Sequence, residues 1–94
     1  MRSVLLRLNP AVDLHWRHWE PDWVVFDVAS GNTHQMDGLT ACTLLSLEAG
    51  PLDADALVGE IEAATSLSED AIRPALPGVI EQLTRLGMVD TVPE

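Results

Sequence analysis

From Leu14 the order apolar, polar, apolar, polar predicts a strand that runs to Trp19. This puts Leu14, Trp16 and His18 on one face of a strand and His15, Arg17 and Trp19 on the other. Trp23 to Val28 is rich in β-branched and aromatic residues and predicts a second strand, with Val24, Phe26 and Val28 sharing a face. Between the two, Glu20-Pro21-Asp22 predicts a turn, because proline fixes φ and the flanking acids favour reversal. Ala29-Ser30-Gly31-Asn32 predicts another turn, since Gly and Asn tolerate positive φ, and Thr33 to Met36 returns as a short third strand. Up to Met36 the chain reads as an antiparallel meander.

After Met36 the period becomes helical. Asp37 suits an N-cap, with Met36 before it placed to pack on the first turns. A helix to about Glu48 follows, its apolar side supplied by Leu39, Leu44, Leu45 and Leu47. Gly50-Pro51 ends it. Asp53 caps a second helix to about Thr65, with Leu57, Ile61 and Ala64 inward and Asp55, Glu60 and Glu62 polar. Ser68 caps a third, carrying Ile72, Leu76, Val79, Ile80, Leu83 and Leu86, and Gly87 closes it. Pro74 and Pro77 disturb the first half of this helix, since an interior proline removes a hydrogen bond. The whole is an α+β chain of three strands followed by three helices, one domain over 1–94. Residues 1–12 are expected to be a loosely ordered N-terminal segment.

Composition narrows the function classes. Fifteen acids stand against five arginines, without a lysine, for a formal charge of −10. Nucleic-acid binding depends on neutralising phosphates with Lys and Arg, so this surface repels a phosphate backbone, and an anionic membrane too. The expected partner is a basic or apolar segment of another protein. No apolar run approaches the length of a membrane span. Met1 to Asn9 has neither a long apolar segment nor a small-residue cleavage site, so it is not read as a signal peptide, and a cytoplasmic location is expected. The single cysteine, Cys42, fits that compartment and reads as a buried, inert thiol.

Candidate chemistry is sparse. His15 and His18, three apart on a strand, point to opposite faces and cannot share a metal ion. The three tryptophans, Trp16, Trp19 and Trp23, read as covering one end of a small core. Asp53, Asp55, Glu60, Glu62, Glu69 and Asp70 read as a solvated helix face. A phosphate loop, a nucleophile elbow and a supported acid–base pair are all missing, so catalytic residues, metal and cofactor are each expected to be none.

Three short strands followed by three helices is the order of a winged helix-turn-helix variant. The run Trp23-Val24-Val25-Phe26-Asp27, then Ser30-Gly31-Asn32-Thr33-His34, then Met36-Asp37 and an apolar helix, resembles the PqqD family of peptide chaperones. It is most similar to the branch found beside HPr-kinase-like proteins. The likeness spans roughly Leu14 to Val89 and is strongest at the hairpin. It implies a non-catalytic leader-peptide recognition element that binds an extended segment of a ribosomally made precursor peptide between the third strand and the third helix. The domain would then present that segment to a modifying enzyme. The implied peptide-binding residues are Thr33, His34, Gln35 and Met36 on the strand, with Ile72, Arg73, Leu76, Val79, Ile80 and Leu83 on the helix. A strand at a sheet edge offers unpaired N–H and C=O groups to a visiting strand, which supports the same reading independently.

Two other classes compete. A regulatory or assembly subunit docking on a kinase-like enzyme without any peptide would use the same edge, and so would a homodimer. A DNA-binding winged helix would read with Glu69, Asp70, Arg73, Glu81 and Arg85, three acids to two bases, the wrong sign for a groove reader.

Overall fold

The computed structural model describes residues 4–19 and 22–93, with the side chains of Trp19 and Pro93 outside that description. In chain order the elements are β1 (Val4–Leu8), β2 (Leu14–Trp19), β3 (Asp22–Asp27), β4 (Asn32–Met36), α1 (Gly38–Glu48), α2 (Ala54–Ala64), α3 (Glu69–Arg85) and β5 (Val89–Pro93). The expected meander is present as a three-stranded antiparallel sheet in the order β2-β3-β4, so the predicted third strand is β4. The Glu20-Pro21 part of the first predicted turn lies outside the described residues.

Two strands were not expected. The segment read as loosely ordered contains β1, which pairs antiparallel with β5 at the far end of the chain, Val4 opposite Pro93 and Leu8 opposite Val89. On its other side β1 exchanges two backbone bonds with Leu52, at 2.8 and 2.9 Å. Leu6 points into the core at 5% exposure, whereas Val4 is exposed. The strand is thus held by partners about 46 and 85 residues away in sequence, which no local pattern can announce. For the same reason, the region after Met36 is not all helical.

Each helix begins where a cap permits. The Asp37 side chain accepts from the Thr40 N–H, and that of Asp53 from the Ala56 N–H, both at 2.8 Å. Ser68 occupies the N-cap of α3, but its side chain makes no capping bond. Instead Glu62 reaches across from α2 and accepts from the Glu69 N–H at 3.3 Å. Pro74 and Pro77 lie inside α3, which runs through them as one element with both rings exposed. Gly87 follows it with φ +79°, the left-handed conformation that glycine adopts without a Cβ penalty.

The core forms where the helices meet the two sheets. Leu44 and Leu47 of α1, Leu57 and Ile61 of α2, Ile72 and Leu83 of α3, and Met88 and Val89 after it are buried almost completely. Each such side chain contributes about 1.5–3 kcal/mol relative to exposure. From the meander come Val25 and Met36, with Trp16 and Trp23 half-buried at the margin. The two tryptophans meet edge to face at 6.1 Å between ring centroids, and His18 stacks on Trp23 at 4.3 Å. Ala64, expected inward, is exposed.

Candidate functional site

The meander has two faces and two edges. Residues paired across its strands share a face, so Trp16, Trp23, Val25, His34 and Met36 look toward the helices. Arg17, Val24, Phe26, Thr33 and Gln35 look away, and Phe26 is 41% exposed. On that outer face Gln35 donates a side-chain hydrogen bond to Asp22 at 2.7 Å.

The hydrogen-bond phase decides what the β4 edge offers. Val28 N–H bonds the Asp13 carbonyl at 2.9 Å, so the alternate residues Phe26 and Val24 also turn their backbone groups toward β2. Trp23, Val25 and Asp27 then turn theirs toward β4. The Gly31 N–H bond to the Asp27 carbonyl, at 2.8 Å, agrees with that phase. Within β4, Met36, His34 and Asn32 therefore bond to β3, and the backbone N–H and C=O groups of Thr33 and Gln35 point outward. Both residues are exposed, and β4 is the last strand in its sheet.

The turn leading into β4 is held by Asp27. Its carboxylate accepts from the Asp13 N–H at 3.0 Å, the Ala29 N–H at 3.1 Å and the Ser30 hydroxyl at 2.8 Å. These bonds, the one from Asp13 first, hold the carboxyl below its ordinary value. Beside this turn lies a polar cleft of ≈300 Å³ in which His34, Asn32 and Ser30 face Asn9, Leu86 and Gly87. The Asn9 side chain ties the cleft's far wall by donating to the Gly87 carbonyl at 2.9 Å.

The residues expected to bind peptide are distributed unevenly. Thr33 and Gln35 lie on the β4 edge, and His34 lines the cleft. Met36 is buried in the core. On α3, Ile72, Leu76 and Leu83 are core residues as well, at 4% exposure or less. Arg73 is fixed by Glu69 and by Asp55 of α2, and these bonds, Glu69 first, hold its guanidinium above its ordinary value. Arg73, Leu76 and Ile80 share a shallow cavity with Ala54 and Val58, so they face α2. Val79 is half-buried against the core. What shares a cleft with the strand is the segment just after α3, Leu86 with Gly87. Sequence reasoning placed neither these two nor Asn9 in the site. Asn9 sat in a segment read as loose, and Leu86 counted as one more core leucine although it is exposed.

Among the described residues no three His, Cys, Asp or Glu side chains gather as a metal ion would require, and no helix is long and apolar enough to cross a membrane. Comparison with family models, with curated proteins and with solved structures finds no match for this chain.

Proposed function

We propose that this domain is a peptide chaperone of the PqqD type, a winged helix-turn-helix variant that accepts the leader of a precursor peptide as a fourth strand on β4 and presents it to a modifying enzyme. The carrying observation is the β4 edge, where Thr33 and Gln35 turn backbone donors and acceptors outward that have no strand partner among the described residues. Main-chain bonds to these groups hold an extended peptide in register. Side chains of one parity then enter the His34 cleft against Leu86, and those of the other parity lie beside Phe26 and Thr33. The helical contribution in this reading moves from the middle of α3 to the segment just after it. The role needs no cofactor and no catalytic group. A reading of α3 as a DNA-recognition helix is weaker still than its charge suggested, because Arg73 and Arg85 are both paired with acids.

Backbone substitution at one position tests this. Gln35→Pro removes the outward N–H, whereas Gln35→Ala removes the side chain and its bond to Asp22 but keeps that donor. With both variants and the native chain as baits in lysate of the source cells, the expected result is a short precursor peptide retained by the native chain and by Gln35→Ala. Gln35→Pro should lose it. Adding the identified peptide should then slow amide exchange at Thr33 and Gln35. Equal retention by all three baits, with exchange unchanged at those two amides, refutes strand addition at β4.

A further inference from the structure

α1 carries apolar residues on more than one side. Its Leu44 and Leu47 face the core, yet Leu39, Cys42 and Leu45, on other faces of the helix, are only half-buried. They line two cavities of ≈430 and ≈340 Å³ that share Cys42 and Leu45 of α1 and Ala64 of α2, so together they form one groove along the helix pair. Leu52 lines the first of these cavities, and Trp23 and Leu67 line the second. α1 has 11 residues, about 16 Å at 1.5 Å per residue, so the groove accommodates about three turns of a visiting helix.

Charge identifies the visitor. The charged side chain in the groove wall is Glu60, which has no hydrogen-bond or ion-pair partner among the described residues. It lies close enough to Cys42 for its charge to add to the burial that pushes the thiol up, against the Ser46 hydrogen bond. None of the described arginines is nearby. Arg7, Arg73 and Arg85 pair with acids elsewhere, and Arg17 is on the outer sheet face. The helices of a second copy would bring mainly acid to acid, since their exposed charges are Glu48 on α1, Asp55, Glu60 and Glu62 on α2, and Glu69, Asp70 and Glu81 on α3, against Arg73 and Arg85, which are already paired with acids. We propose that this groove is a docking site for an amphipathic helix of a different protein, one with an apolar stripe and a lysine or arginine that pairs with Glu60. Only the naming of that partner as the modifying enzyme rests on the peptide-chaperone reading. Neither Thr33 nor Gln35 lines the groove, so helix and peptide would use different residues.

Cys42 is the only cysteine in the chain and lies in the wall shared by both cavities, so its alkylation by iodoacetamide reports occupancy. The probes are two synthetic helical peptides with the same leucine stripe, one flanked by arginine and the other by glutamate. At about ten times its Kd the arginine peptide should slow alkylation about tenfold, because only the open form reacts, and the glutamate peptide should not. Glu60→Lys should reverse that preference. Ala64→Trp, at an exposed position, should abolish protection by filling the groove. Equal protection by both peptides, or by neither, overturns the proposal. So does Cys42 protection that rises with the concentration of the chain alone, which would make the visitor a second copy. Amide exchange at Thr33 and Gln35 reports on the β4 edge separately, so failure of the groove and failure of strand addition are distinguishable.

Discussion

Asp27 shows how one side chain sets the geometry of the edge. Its carboxylate collects two backbone donors and one hydroxyl at the mouth of a four-residue turn. Charge strengthens all three bonds, which is why its carboxyl lies below the ordinary 3.8. A carboxyl whose pKa is lower folded than unfolded adds stability above the unfolded value. That stability is lost as pH falls through the folded value. The native chain should therefore lose stability from about pH 4 downward, partly through this group. Asp27→Asn keeps an oxygen for the Asp13 and Ala29 donors and removes the charge. Denaturant midpoints measured from neutral to acid pH should show the variant less stable at neutral pH and its acid decline shallower. Parallel pH profiles for the two proteins would mean that the bonds, and not the charge, hold the turn.

At the scale of elements, α3 carries an unusual cost. Its first residue is Glu69, so Pro74 lies past the initial turn, where its missing N–H would have bonded the Asp70 carbonyl. An interior proline costs about 3 kcal/mol, partly returned because proline also restricts the unfolded chain by about 0.4–1 kcal/mol. Pro74 is exposed and lines none of the cavities described. Pro74→Ala should therefore stabilise the domain by about 2 kcal/mol, read as a higher urea midpoint at unchanged slope. No gain would mean that the helix has relaxed around the ring. The elements legible in the sequence are those whose signals are local: the two-faced pattern that opens β2, the β-branched and aromatic run of β3, the Asp37 and Asp53 caps, and glycine after α3. What was not legible depends on distant partners. Val4-Leu5-Leu6 is a strand because Val89–Pro93 and Leu52 lie alongside it. Leu76 and Leu83 are core residues because α2 and β5 cover α3, and an apolar helix face reads the same whether it lines a cleft or fills a core. That Thr33 and Gln35 lie on a sheet edge was legible because an edge follows from strand order; that Met36, Ile72, Leu76 and Leu83 are buried was not.

For the whole molecule the governing quantity is charge. Residues 1–19 hold three of the five arginines and one of the fifteen acids, Asp13. Almost the entire negative charge therefore falls on the later strands and the helices, where two arginines remain to offset it. Those two are engaged in exposed ion pairs, Arg73 with Asp55 and Glu69 and Arg85 with Glu81, and pairs held in water contribute little. Against them stands the mutual repulsion of acids crowded on α2 and α3, which opposes the compact state. Salt weakens attraction and repulsion alike, reducing the Debye length from about 30 Å at 0.01 M to about 8 Å at 0.15 M. Repulsion here extends over many acids at long range, whereas the pairs are few and in contact, so screening removes more of the former. The Tm should accordingly rise as sodium chloride is added over that range. Chloride is the proper choice because sulfate would strengthen apolar burial independently. A falling Tm would show that the Arg73 and Arg85 pairs outweigh the repulsion, and that the acidic helices are less strained than their charge implies. A rising Tm would add a physical reason for a basic partner: a helix bringing positive charge to Glu60 relieves the same repulsion that salt does, and does so at one place.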